Sequence, residues 1–100
     1  MPRARLLGGY MKMDVYCITE RWGSEKGADV VAEALRATYK KVKEFSHRGD
    51  TFEILVSEEW EATVGIVSSQ DYTDIYVLEE IEPQKMENFL REKYEIEEEN

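Results

Sequence analysis

This 100-residue chain has one cysteine, one histidine, two prolines and no apolar run near the roughly 20 residues that cross a bilayer. The lone Cys17 excludes an internal disulfide framework and fits a reducing cytoplasm, where a free thiol at an alternating strand position is usually a small buried apolar group. One histidine and one cysteine cannot build a zinc centre without many carboxylates or a second subunit. A serine-type triad would need His47 as its base, at the end of a helical pattern. Phosphate-cradling glycine loops are missing too: Gly23-Ser24-Glu25-Lys26-Gly27 has two glycines but not the Walker spacing. These absences argue against an enzyme and imply no cofactor.

Basic residues are scarce in one half only. Residues 1 to 50 carry ten Lys/Arg against seven Asp/Glu, a balance of +3, whereas residues 51 to 100 carry three against fifteen, a balance of −12; together they give the net charge of −9. Such asymmetry points either to self-complementary packing or to an acidic face that meets a basic partner. With 42% hydrophobic residues the chain has enough apolar content for one folded domain. Residues 1 to 9 are basic but too short in their apolar part for a signal peptide, and read as a disordered leader. Met11 and Met13 are alternative starts. The end, residues 95 to 100, reads as a frayed acidic tail.

The most informative stretch is Thr51 to Glu80. Phe52, Ile54 and Val56 alternate with Thr51, Glu53, Leu55 and Ser57. Ala62, Val64 and Ile66 repeat the pattern, and Ile75 and Val77 continue it against Tyr72, Asp74, Tyr76 and Leu78. Period two with β-branched and aromatic residues predicts three strands, and the short polar breaks at Ser57-Glu58-Glu59 and Ser68-Ser69-Gln70-Asp71 predict antiparallel hairpins. Leu55, Val67, Tyr72, Tyr76 and Leu78 make the second face apolar as well, so the sheet must be covered on both sides. Tyr10 to Thr19 reads as a further strand, also apolar on both faces.

Two helices are expected. Glu25 to Phe45 carries an apolar stripe of Ala28, Val31, Ala34, Leu35, Thr38, Val42 and Phe45, with Ser24 as its N-cap and Gly49 as its left-handed terminator. Arg36, Lys40, Lys43 and His47 would then form a basic ridge on the opposite face, either a solvated surface or a docking site for acidic groups, whether nucleic-acid phosphates or the protein's own carboxylates. Glu82 to Tyr94 follows, with Pro83 at its first position and Met86, Phe89, Leu90 and Tyr94 inward; Ile81 and Met86 have staple spacing. The order β-α-β-β-β-α defines an α+β domain with a mostly antiparallel sheet. Two helices look too few for two apolar faces, so a homodimer is expected to complete it.

Carboxylates gather where the strands turn. In a meander, Glu58, Glu59 and Glu61 share one sheet end with Glu79, Glu80 and Glu82, while Asp71 lies at the other. A divalent cation would need oxygen ligands there, but no spaced acidic motif is present. Trp60 reads first as core or subunit-interface packing, and otherwise as an exposed anchor in an acidic surround. Arg48-Gly49-Asp50 matches an adhesion tripeptide, but a helix terminator explains it. With Glu and Lys abundant and Gln and Asn scarce, the strand stretch and its flanking helices resemble proteins of hyperthermophilic archaea; that resemblance assigns no residue a role. The expected function is a cytoplasmic interaction module that docks a basic protein surface through Glu58, Glu59, Trp60, Glu61, Glu79, Glu80 and Glu82. Nucleic-acid binding by the ridge, which the net charge opposes, is the alternative, followed by a carboxylate enzyme using a divalent metal.

Overall fold

Residues 27–97 are described by the computed structural model. The strand expected at Tyr10 to Thr19, the leader, Cys17 and the Ser24 cap lie outside them. Within this span the elements run α1 (Ala28–Thr38), β1 (Lys40–His47), β2 (Asp50–Ser57), β3 (Ala62–Ser68), β4 (Thr73–Leu78) and α2 (Pro83–Lys93). The four strands form one antiparallel meander in sequence order. The architecture is α+β, and the three strands of the Thr51 to Glu80 stretch stand where their alternation placed them.

The long first helix is corrected. It begins after Gly27, held in the left-handed region at φ 83°, and ends at Thr38; Tyr39 is already extended. Lys40 to His47 forms β1 instead of two further helical turns. Val42 and Phe45 continue the helical spacing only by coincidence, and lysine and glutamate are good helix formers, so local preference favours the wrong element. Pairing with β2 overrides it. Arg48 and Gly49, at φ 55° and 86°, close a two-residue hairpin between the paired His47 and Asp50. Two consecutive positive φ values fit the strand twist of such a turn. Gly49 is therefore left-handed, as expected, but it turns a hairpin rather than ending a helix.

A β-bulge explains why β1 does not look like a strand in sequence. Lys41 pairs with Leu55 and Lys43 with Ile54, so Val42 is the inserted residue. Without it, Lys41 and Lys43 would share a face. With it, they serve opposite faces. Lys41 reaches Glu44 and, at 3.6 Å, Glu53. Lys43 donates to both oxygens of Glu87 on α2 at 3.0 Å.

Each face of the sheet has its own helix. Phe52, Ile54, Val67, Tyr76 and Leu78 pack with Met86 and Leu90 of α2. Leu55, Val64, Ile66 and Ile75 pack with Ala28 and Ala32 of α1. The stripe of α1 is rotated from the expected one: Ala34 is exposed, and Ala32 takes the inner position. Among the described residues, each apolar face of the sheet is thus covered by one helix.

Both helices are also tied down by polar contacts. Asp29 of α1 accepts from the Thr73 hydroxyl at 2.6 Å. Arg36 donates through Nε and Nη2 to the same oxygen of Glu53 at 2.9 and 2.8 Å. On the α2 side, Tyr94 donates to Asp74 at 2.9 Å, and its hydroxyl lies 2.7 Å from that of Tyr76. Burial and these partners push the Tyr94 hydroxyl far above its usual range. Arg91 lies over the Phe45 ring at 4.5 Å and donates to Glu87 at 2.9 Å.

Glu87 makes this packing pH-dependent. Burial alone would raise its carboxyl, but hydrogen bonds from Lys43 and Arg91 outweigh burial and hold it below its ordinary value. A carboxyl depressed in the folded state adds stability that is complete above its unfolded value, about pH 4.3, and disappears as the pH falls through the lower folded value. Thermal unfolding of the parent protein and Glu87→Gln should therefore differ most near neutrality, with the gap narrowing steadily below about pH 4.3. A gap that stays constant down to strong acid contradicts the assignment.

Candidate functional site

The site is built at one end of the meander. The β2–β3 turn carries Glu58, Glu59, Trp60 and Glu61, all exposed. Ser57, paired with Ala62 at the hairpin base, accepts the Trp60 N–H on its Oγ at 3.1 Å. Glu61 completes the turn at φ 51°, a left-handed position. Trp60 is 68% exposed, so its indole is not in the core. An outward indole is what both packing against a second subunit and an anchor in an acidic surround require.

The β4–α2 connection lies alongside. Leu78, the last residue of β4, pairs with Thr63, the second residue of β3. The Thr63 side chain then joins the two segments: its hydroxyl donates to the Glu80 carbonyl at 2.6 Å and accepts the Glu82 N–H at 2.8 Å. Glu82 occupies the N-cap position of α2 but makes no side-chain cap, leaving its carboxylate on the surface with Glu79 and Glu80. Lys85 reaches Glu80 at 3.4 Å, an exposed pair of small energetic weight. Ile81, 41% exposed, is a second outward apolar side chain in this loop. The six glutamates expected to share an end do so, with Trp60 and Ile81 among them.

The basic ridge is not assembled. Arg36 is on α1, whereas Lys40, Lys43 and His47 are on β1. Arg36 is engaged by Glu53 and also meets Glu33 at 3.2 Å; Lys43 is engaged by Glu87. Lys40 stands opposite Val56, near the acidic end, and His47 is half-buried at the far hairpin. Among the described residues β1 is an outermost strand, where lysines also have a plainer role, since they discourage edge-to-edge association.

Two other features bound the chemistry. An open cleft of about 280 Å³ lies between β1 and the start of α2, lined by Val42, Lys43, Ile54, Pro83, Gln84 and Glu87. Its charged members already bond each other. Among the described residues, no three carboxylate, imidazole or thiol groups converge as a metal ion would require, and no helix is long and apolar enough to cross a membrane. Comparison with known proteins finds no matching family, curated protein or solved structure. What the fold and surface define is a small sheet sandwiched between two helices, presenting an acidic, tryptophan-bearing end.

The sequence signals missed are the buried glutamates. Glu53 and Glu87 sit at inward positions of an alternating strand and an amphipathic helix. Each has basic partners on β1 that become visible only when residues 40 to 47 are read as an edge strand.

Proposed function

We propose that the chain is a protein-interaction module whose acidic sheet end docks a basic surface on another protein. One observation carries this reading: Trp60 is 68% exposed on a turn flanked by Glu58, Glu59 and Glu61, where a solvated acidic rim alone would need no tryptophan. Large aromatic side chains contribute most to binding when they leave water, and surrounding charges add steering and selectivity. The Glu79 to Glu82 loop, tied to the hairpin by Thr63, widens the surface to two chain segments. The surplus of negative charge at this end opposes face-to-face pairing of two such ends and favours a partner of opposite sign. No second copy is required, and no catalytic step is proposed.

The test uses the tagged chain in nuclease-treated lysate at low and high salt, beside a variant carrying Lys at 58, 59, 61, 79 and 80. The parent should retain a basic protein at low salt and release it at high salt, because exposed charge pairs are screened within about 10 Å at 0.1 M ionic strength. The variant should lose that protein while keeping its thermal midpoint, since exposed substitutions shift stability by only about 0.5 kcal/mol each. Equal retention by both proteins rules the reading out.

A further inference from the structure

Resting on that reading, we infer that the acidic end selects arginine over lysine in its basic partner, with Trp60 as the selecting side chain. The carboxylates at this end attract any cation. They do not by themselves distinguish an ammonium from a guanidinium in a flexible, solvated setting. The indole does. It is independent of the charge argument because an indole 68% exposed offers a π face that no carboxylate supplies. Ile81, 41% exposed in the adjoining loop, offers aliphatic surface for the methylene stem behind the charged group.

A guanidinium is planar, more weakly hydrated than an ammonium, and able to stack on an aromatic face while its edge N–H groups reach carboxylates. Trp60 and its neighbours Glu59 and Glu61 supply both requirements on one turn: a π face and acceptor oxygens beside it. Lysine would satisfy the glutamates as a point charge but would gain less from the ring. The molecule already shows the same chemistry at the margin of its core, where the partly buried Arg91 lies 4.5 Å over Phe45 while bonding Glu87. The occupant is therefore an arginine-bearing basic segment of a partner protein.

The experiment titrates the full chain with an arginine–alanine repeat peptide and, separately, with a lysine–alanine peptide of equal length and charge. Calorimetry at low salt reads the parent protein, Trp60→Leu, and a variant with Gln at 58, 59 and 61. In the parent both peptides should bind, the arginine peptide about two- to five-fold more tightly. Trp60→Leu should remove that preference while retaining most charge-driven binding. The Gln variant should weaken both peptides together. Equal affinities in the parent, or a preference that survives Trp60→Leu, overturns the arginine inference and leaves the docking reading standing. Binding of neither peptide overturns both.

Discussion

Arg36→Met should lower the unfolding free energy by about 3 kcal/mol, because it strands a buried carboxylate. Glu53 is the reason. It lies in the middle of β2 with 9% of its side chain exposed, facing α1, and both guanidinium bonds converge on one of its oxygens. Removing Arg36 leaves that carboxylate buried with only Lys41, at 3.6 Å and itself nearly half exposed. The methionine keeps the aliphatic volume, so the loss reports the uncompensated charge rather than a cavity. The hydrogen bond from Arg36 to Ser68, at 3.3 Å, disappears too but is weak by comparison.

The companion variants make the attribution specific. Lys41→Met should cost less than about 1 kcal/mol, because its pairing is solvated. Arg36→Met with Glu53→Leu should recover most of the loss, since a buried ion pair replaced by apolar groups of similar volume is often neutral or stabilising. Chemical denaturation of the parent, Arg36→Met, Glu53→Leu and the double variant closes the cycle. If the double variant is as unstable as Arg36→Met alone, the pair is not what anchors α1. Hydrogen exchange adds a location: the amides of α1 should lose protection in Arg36→Met before those of β2 and β3 do.

This ion pair also shows where sequence reading stops. Strands β2, β3 and β4 were legible because nearly every residue obeys period two and each face is buried, so packing enforces the pattern that reveals it. Phe52, Ile54 and Leu55 are 0 to 1% exposed on alternating faces. The second helix was legible from Pro83 and from Met86 and Leu90, which fill one stripe. The acidic end followed from meander geometry alone, because Glu58 to Glu61 and Glu79 to Glu82 leave from the same side of neighbouring strands.

Strand β1 was not legible because it obeys neither rule. Its residues from Lys40 to Glu44 are exposed, so no core enforces alternation, and the bulge at Val42 breaks whatever pattern remains. Read as helix, Arg36, Lys40, Lys43 and His47 aligned into a surface that the folded chain takes apart, assigning two of them to Glu53 and Glu87. Trp60 was ambiguous for a different reason. Alternation cannot specify a side chain in a turn, and the Ser57 hydroxyl three residues earlier holds its backbone without setting where the ring points. Bulk hydrophobicity favoured burial, whereas the position at a hairpin tip put the indole in water.

Gly65→Val should destabilise the protein by about 1–3 kcal/mol and loosen α2 in particular. Gly65 sits in β3 between Ile54 and Tyr76, on the face covered by α2, where the helix comes close to the sheet. A Cβ at this position would stand 2.8 Å from Met86 Sδ and 3.2 Å from Leu90 Cδ1. Met86 and Leu90 are 1% and 0% exposed, so neither can move far without disturbing its neighbours. Gly65→Ala should be milder, because the flexible methionine can shift its sulfur by a few tenths of an ångström, whereas the γ-methyls of valine need more room than that. Met86→Ala alone leaves a cavity costing about 2–5 kcal/mol. Combined with Gly65→Val it should cost less than the sum of the two, because the added and removed volumes meet at one place. Strict additivity in denaturation experiments would mean that helix and sheet are not in contact there. The effect should also reach the surface, since α2 begins at Pro83 directly after the loop that Thr63, two residues from Gly65, ties to the hairpin. Displacing the helix moves Glu79 to Glu82 relative to Trp60. Gly65→Val should accordingly weaken basic-peptide binding at temperatures where the protein is still folded, although residue 65 is buried and touches no ligand.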